Sequence, residues 1–161
     1  MQQSLIAPRG QDELVDAVLN ASRVLVAIAA RSLADVGEEV TLTQYRSLVV
    51  LASRGPQRVA ALAEAVAVTP PTASRMCDRL VRKSLVTRRT DRHDRRQVRI
   101  ALSPAGRRLV DAVTTRRRQE IEQLVASIPA ESRSEVVAAL GHLSAVAGEV
   151  PEQDWTTGWD L

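Results

Sequence analysis

Phenylalanine is absent from this chain, and Tyr45, Trp155 and Trp159 are its only aromatic residues. The core must therefore be aliphatic, assembled from Ala, Val and Leu. Aromatic platforms for unstacked bases are missing as well, which argues against single-strand binding and most modes of RNA recognition. One cysteine, Cys77, allows no intrachain disulfide, and a reducing cytosol is the simpler setting. No apolar run approaches the ~18 residues of a membrane span. The N-terminus MQQSLIAPRGQDE lacks the basic-then-apolar order of a secretion signal. A soluble, cytoplasmic protein with no membrane partner is the expectation. Lysine is scarce too: Lys83 is the single Lys among 22 basic residues, a bias that fits a GC-rich genome and says little about mechanism. No nucleophile–base–acid set is visible, since the Ser, Asp and Glu residues are accounted for as caps and solvated charges, so an enzyme is not expected. His93 and His142 lie far apart without a Cys or carboxylate cluster at ligand spacing. Neither a metal nor another cofactor is expected.

What the chain does have is arginine, concentrated in its middle. Residues 54–118 hold 17 Lys+Arg against 5 Asp+Glu, a net of +12, and the remainder carries −9. A solvated helix face explains most charge runs, but this concentration favours contact with a nucleic acid. The stretch RRTDRHDRRQVR over 88–99 is half arginine, opposed only by Asp91 and Asp94. It lies between two short apolar runs, Leu85-Val86 and 98–102, and in the second Val98, Ile100 and Leu102 alternate as in a strand. A charged loop joining two short strands after a helix makes a β-wing. Fixed cations on such a hairpin suit a polyanion, and Arg is the side chain best fitted to a narrow, strongly negative minor groove.

A length of 161 residues and 45% hydrophobic content predict one domain with a real core. Residues 1–10 and 149–161 read as flexible or packing tails. A helix is predicted from Asp12 to about Asp35. Its apolar residues, among them Leu14, Val15, Leu19, Leu25, Ile28 and Leu33, are more than one face of an exposed helix needs. Gly37 and Glu38-Glu39 end it. A second helix is predicted to start at Thr43 as its cap, with Leu42 as a hydrophobic staple, and to run to about Ser53, where Gly55-Pro56 stops it. A short helix over Val59 to Ala65 precedes a tight turn, Val66-Ala67-Val68. Thr69 is placed to cap the next helix, Pro70–Lys83, with Pro70 at the first position, where its missing N–H costs nothing. After the wing, Ser103 and Pro104 open a long helix to about Ile128. Pro129 breaks it, and a last helix is predicted from Glu131 to Ala147.

Helix, three-residue turn, capped helix and wing form a winged helix-turn-helix. The fold class is thus mainly α, or α+β if the wing is counted. In this arrangement the second helix enters the major groove with its N-terminal residues toward base edges. Ala73, Met76, Cys77 and Leu80 share one side of it. Thr72, Ser74, Arg75, Arg79 and Arg82 lie largely elsewhere, and Pro71 stands with them at the N-terminus. Short polar Thr72 and Ser74 let the backbone approach closely, while Arg75 has the reach for guanine O6/N7 or phosphate. Thr69 can meet a phosphate at the helix N-terminus.

The order LTQYRSLVVLASRG, VAALAEAVAVTPPTASRMCDRLVRKSLV and TRRTDRHDRRQVRIALSPAGRRLV resembles the MarR family of bacterial transcription regulators. The D-R-R of the wing, followed by a strand and L-S-P-A-G, is its specific part. The resemblance covers residues 12–148 as a single domain. It implies a winged helix-turn-helix lobe at 41–102, with the helix-turn-helix at 59–83 and the wing at 85–102. Long N- and C-terminal dimerisation helices at 12–36 and 104–148 would join two copies. It further implies a homodimer on double-stranded DNA, acting as a ligand-responsive repressor on a pseudo-palindromic operator, nucleoid-associated when bound. In the wing, Asp94 would orient an Arg by ion pairing, Arg96 would probe the minor groove, and Arg92 and Arg95 would contact phosphates. A small aromatic or phenolic effector is implied between the dimer helices and the lobe, with Arg23, Tyr45 and Arg46 facing it; those three also read as structural or solvated. Two departures from the family pattern stand out: Ala67 replaces the turn glycine, and Ser84 replaces the glycine before the first wing strand. Each position would carry backbone strain of about 1 kcal/mol.

Other readings stay open at this stage. A non-specific architectural DNA-binding protein would share the charge pattern. A winged helix used as a protein-interaction module would not need so many arginines in its wing. Cys77 reads as buried core, being a small hydrophobe on an apolar face, rather than as a redox sensor. Trp155 and Trp159, four apart, read as a cap on the dimer core ahead of a ligand wall.

Overall fold

The computed structural model describes residues 9–36, 39–90 and 97–155. Among these residues, six α-helices and a two-stranded antiparallel sheet follow in the expected order. Helix α1, Arg9–Ala34, begins three residues before the expected Asp12. It buries only its C-terminal turns, through Ile28, Ser32 and Leu33. Leu14 is 63% exposed, and Val15, Leu19, Val24, Leu25 and Val26 are exposed with it. The surplus apolar surface read from the sequence thus has no partner within the described residues.

Helix α2, Leu42–Arg54, is capped by Thr41 and not by Thr43. The Thr41 hydroxyl accepts from the Gln44 N–H at 3.2 Å, and the Gln44 side chain accepts from the Thr41 N–H at 3.0 Å. This reciprocal pair is a capping box, and its T-x-x-Q spelling was in the sequence. It displaces Leu42 from the staple position into the helix itself. Gly55, at φ 75°, closes the other end, donating its N–H to the Leu51 carbonyl at 3.0 Å. Helix α3, Val59–Ala65, has the expected limits, and α4, Pro70–Arg82, stops one residue short of them. Between them Ala67 adopts φ 54°, and after α4 Ser84 adopts φ 57°. Both non-glycine substitutions therefore occupy left-handed backbone, where a Cβ is strained.

Strands β1, Val86–Thr90, and β2, Val98–Leu102, pair with Val86 opposite Leu102 and Thr90 opposite Val98. A third segment joins them. Gln57 exchanges both backbone hydrogen bonds with Ile100, at 2.9 and 2.7 Å, tying the α2–α3 connection to the wing root. Helix α5, Pro104–Ala126, is capped by Ser103, whose hydroxyl accepts from the Gly106 N–H at 2.9 Å and donates to the Ser84 carbonyl at 2.6 Å. A 3-10 turn at Ala130–Ser132 follows Pro129, then α6, Arg133–Val146, and a last 3-10 turn at Glu152–Asp154.

The core is aliphatic as composition demanded. Leu48, Leu51, Leu62, Leu80, Val86, Ile100, Val110 and Val113 are fully buried. They belong to α2, α3, α4, both strands and α5, so one cluster holds the helix-turn-helix, the wing root and the start of the long helix together. Arg31 to Glu120 at 2.9 Å and Arg116 to Asp35 at 2.8 Å tie α1 to α5.

Candidate nucleic-acid interface and adjoining cavity

Helix α4 is divided cleanly between core and solvent. Ala73, Met76, Cys77 and Leu80 are buried, at the i, i+3, i+4, i+7 spacing that makes one face. Thr69, Pro71, Thr72, Ser74, Arg75 and Arg79 are all exposed on the remaining surface. The residues of α4 and its cap that are expected to meet DNA are therefore brought together on one accessible surface. Thr69 is at the cap position but makes no capping bond; its hydroxyl lies 2.9 Å from that of Thr72. Pro70 and Pro71 fill the first two helical positions and have no N–H. Thr72 thus supplies the first N–H of the helix, beside a pair of hydroxyls. The anion site at this N-terminus is leaner than an ordinary one.

The wing stands next to α4 and is tied to it. Arg88 on β1 pairs with Asp78 on the exposed side of α4. Arg99, on β2 opposite Arg89, reaches back to the Pro56 carbonyl at 3.4 Å. Arg92, Asp94, Arg95 and Arg96, expected at the wing tip, lie outside the described residues, as does His93.

Cys77 is fully buried on the core face of α4, and burial pushes its thiol up from the ordinary value, with Arg88 opposing. A protonated, enclosed thiol is a poor nucleophile.

On the other side of α2 a cavity of about 650 Å³ opens between α1, α2, α5 and the segment that follows α6. Tyr45 and Arg46 line it, as expected of them. Arg23 does not: it is exposed on α1 and donates to the Asn20 side chain at 3.1 Å. Tyr45 is buried, which raises its hydroxyl above the usual tyrosine value, and that hydroxyl lies 3.5 Å from the Thr114 hydroxyl. Arg46 grips Glu149 through two nitrogens, at 2.8 and 2.5 Å. Their mutual hydrogen bonds raise the guanidinium and lower the carboxyl from their ordinary values.

Arg117 and Arg118, which nothing in the sequence reading places at a cavity, line it as well, and so does Trp155. The guanidinium of Arg117 lies 5.5 Å from the centroid of the Tyr45 ring, and its Nε is buried with no hydrogen-bond partner. In the sequence, Arg116-Arg117-Arg118 reads as one more stretch of positive charge. The signal lies in the period: Val113, Arg117 and Ile121 are four apart and share a helix face. Trp155 packs on the lobe core and walls the cavity, donating Nε1–H to the Val150 carbonyl at 3.0 Å. Of the two roles open to it from the sequence, dimer cap and ligand wall, the lining fits the second. Trp159 lies outside the described residues.

Comparison with known proteins agrees with this architecture. Residues 40–98 match the MarR family. The crystal structure of RV1404 from Mycobacterium tuberculosis superposes with a TM-score of 0.84 at 40% identity, over 91% of this chain and 99% of that one. The HTH-type transcriptional repressor NicR of Pseudomonas putida is 32% identical over 63% of this chain and 65% of its own length, just under two-thirds of it. An HTH-type transcriptional regulator of Mycobacterium bovis is 30% identical over 70% of this chain and 78% of its own. With its helix-turn-helix, wing and long flanking helices, the chain belongs to the MarR family of transcriptional regulators, proteins with a DNA-binding winged helix and not enzymes.

Proposed function

We propose that this regulator works as a homodimeric, sequence-specific repressor whose hold on a pseudo-palindromic operator is modulated by a small aromatic or phenolic effector. One observation carries the DNA reading. The exposed face of α4 gathers every described polar residue expected at the interface, while the opposite face is locked into the core. Thr72 and Arg75, in the first turns, are the base readers. Arg79 and Thr69 meet phosphates. In the wing, Asp94 orients, Arg96 enters the minor groove, and Arg92 and Arg95 add phosphate contacts. The repressor sense is supported by NicR, which bears that name.

The dimer reading rests on unpartnered apolar surface at both ends of the chain. On α1 this is Leu14, Val15 and Leu19; on α6 it is Val137, Leu140, Leu143 and Val146, of which Val146 is 89% exposed. Val136, Val137 and Leu140 also line an apolar groove with Val125 and Ile128, at the end of α5. Two copies covering these faces would set two α4 helices about one DNA turn apart, roughly 10 bp between half-site centres. The effector reading rests on the cavity beside Tyr45 and Arg46, with Arg117 in the place first given to Arg23.

The test is fluorescence anisotropy with operator and scrambled duplexes at several salt concentrations. Arg75→Ala should relax base preference at one position by about 1–3 kcal/mol. Arg96→Ala should weaken every site and shallow the log K versus log salt slope by about 0.9. An unchanged slope and affinity for Arg96→Ala on the operator would remove the wing from the interface. Equal affinity of the parent chain for operator and scrambled DNA would leave a non-specific binder.

A further inference from the structure

The chain after α6 folds back as a strap across the cavity, and its attachments are specific. Helix α6 ends by its own backbone. Gly148, at φ 65°, donates to the Ala145 carbonyl at 3.1 Å, and the Glu149 N–H donates to the Ser144 carbonyl at 3.0 Å. This Schellman-like closure needs no side chain. The carboxylates of the strap therefore serve another purpose. Glu149 takes both nitrogens of Arg46 on α2, and Glu152 pairs with Arg118 on α5 at 3.4 Å. Arg54 on α2 adds a bond to the Gly148 carbonyl at 3.2 Å. Two acidic side chains of the strap thus sit on two cations of the cavity wall. The third, Arg117, has no strap carboxylate and keeps its Nε buried and unpaired above Tyr45.

We propose that the strap 148–155 is a competitive gate on this cavity, in which Glu149 and Glu152 hold the places that an entering organic anion takes on Arg46 and Arg118. The proposal rests on reading the cavity as the effector site. The anion docks first at Arg117, whose Nε lacks a hydrogen-bond partner, with its apolar body against Val49, Ile121 and Trp155. It then exchanges with Glu149 on Arg46, so that one carboxylate replaces another and the half-exposed guanidinium keeps a counter-charge. The exchange frees the strap. The strap bridges α2, which belongs to the winged lobe, and α5, which continues from it into the long helix. Its release loosens the lobe from the scaffold, which is a route from ligand to DNA. A neutral ligand of the same shape fills the cavity without displacing Glu149.

The experiment uses the full chain with Trp159→Phe, so that Trp155 is the only tryptophan. Benzoate and its neutral isostere benzamide are titrated while Trp155 emission is read. The same titrations are run after adding E149Q and E152Q. The Arg46–Glu149 pair is about 40% exposed, with side chains at 41% and 37%. Its removal should therefore tighten benzoate by about fivefold, the upper end for an exposed pair. Benzamide should be unaffected. Equal or weaker benzoate binding in the double variant overturns the gate and leaves the effector reading standing. If neither probe binds either protein, the effector reading falls, and the gate with it. Hydrogen exchange on the parent chain gives a second reading that needs no Glu variant. Asp154 and Trp155 donate their N–H groups to Pro151 and Glu152, so exchange across 149–155 should quicken with saturating benzoate and not with benzamide. Unchanged exchange with bound benzoate overturns the gate.

Discussion

Gly106 is the residue on which the junction between wing and long helix turns, and its replacement by alanine makes a sharp test. In an open helix this change stabilises by about 1 kcal/mol, because alanine is the better helix former. Here the added Cβ would stand 2.0 Å from the Leu85 carbonyl oxygen and 2.8 Å from Cδ1 of Leu102. The leucine methyl can swing away. The carbonyl cannot, because it accepts the Ser103 N–H at 3.1 Å, and Ser103 caps α5 while its hydroxyl donates to the Ser84 carbonyl. The N-terminus of α5 must therefore lift from the wing root by more than 1 Å. Overpacking of this kind costs about 1–3 kcal/mol. A buried carbonyl left without its donor costs about 1–3 kcal/mol more. Set against the helix-propensity gain, the net loss is about 3 kcal/mol. For a chain of this size that is a fall of roughly 6–12 °C in Tm. The assay is thermal unfolding at one fixed protein concentration, since association shifts the midpoint. Gly10→Ala is the control, because nothing lies within 4 Å of the position of its Cβ. A Gly106→Ala protein that melts with or above the parent would refute the packing argument. It would also remove the physical reason for the glycine in L-S-P-A-G.

Three further outcomes are expected. Ala67→Gly and Ser84→Gly should each be neutral or stabilising by up to about 1 kcal/mol in urea unfolding, since both positions lie at positive φ; a loss of more than that from either would show that the side chain outweighs the strain. Cys77→Ala should keep DNA affinity, and the parent should resist thiol labelling and show no loss of DNA binding under peroxide until it unfolds, because the thiol is buried and its ionisation is opposed by burial; release by peroxide in the parent alone would make Cys77 a sensor. Trp155 emission should change with a midpoint below the ordinary glutamate range as acid is added. Glu149 is held low by Arg46, with Arg54 of α2 adding to the effect, while Glu152 of the same strap pairs with Arg118. A carboxyl whose folded value is depressed stabilises above the ordinary value and loses that hold as pH falls through the lowered one. A midpoint at or above the ordinary value, or one unmoved by Glu149→Gln, would contradict the assignment.

The parts of this fold legible in the sequence are those whose signal is local and periodic. The buried face of α4 was readable residue by residue because Ala73, Met76, Cys77 and Leu80 repeat at helical spacing. The caps at Ser103 and the prolines at 70 and 104 were readable because their chemistry acts on the next few residues. Where two local signals competed, the reading failed: Thr43 after Leu42 looked like a staple and cap, whereas the box formed by Thr41 and Gln44 satisfies two backbone donors and prevails. The Gln57–Ile100 bridge had no local signal at all, since one residue pairing across 43 positions leaves no pattern. The cavity was only half legible for the same reason. Tyr45 and Arg46 could be placed by the family resemblance, but Arg117 and the strap reach the site from α5 and from the chain end.

The charge partition needs the most revision, and it shows how a correct total can conceal separate uses. The net of +12 over residues 54–118 includes Arg116, Arg117 and Arg118. None of these belongs to the face proposed to meet DNA. Arg116 pairs with Asp35 just after α1, Arg118 with Glu152 of the strap, and Arg117 lies over the Tyr45 ring. Consecutive residues on a helix point about 100° apart, so three adjacent arginines serve three different neighbours. Arg88, likewise, is engaged by Asp78. The cationic surface left for a polyanion is therefore narrower than the count suggests and is centred on α4 and the wing. The acidic excess elsewhere has a local meaning as well: Asp35, Glu120, Glu149 and Glu152 each answer a particular arginine. These contacts join α1 to α5 and the strap to α2 and α5, the joints any movement between scaffold and lobe must cross. Exposed pairs of this kind are individually weak, at about 0.2–1 kcal/mol. A set of such pairs can hold a joint closed and still let it open for a competing anion, which a buried apolar seam would not allow.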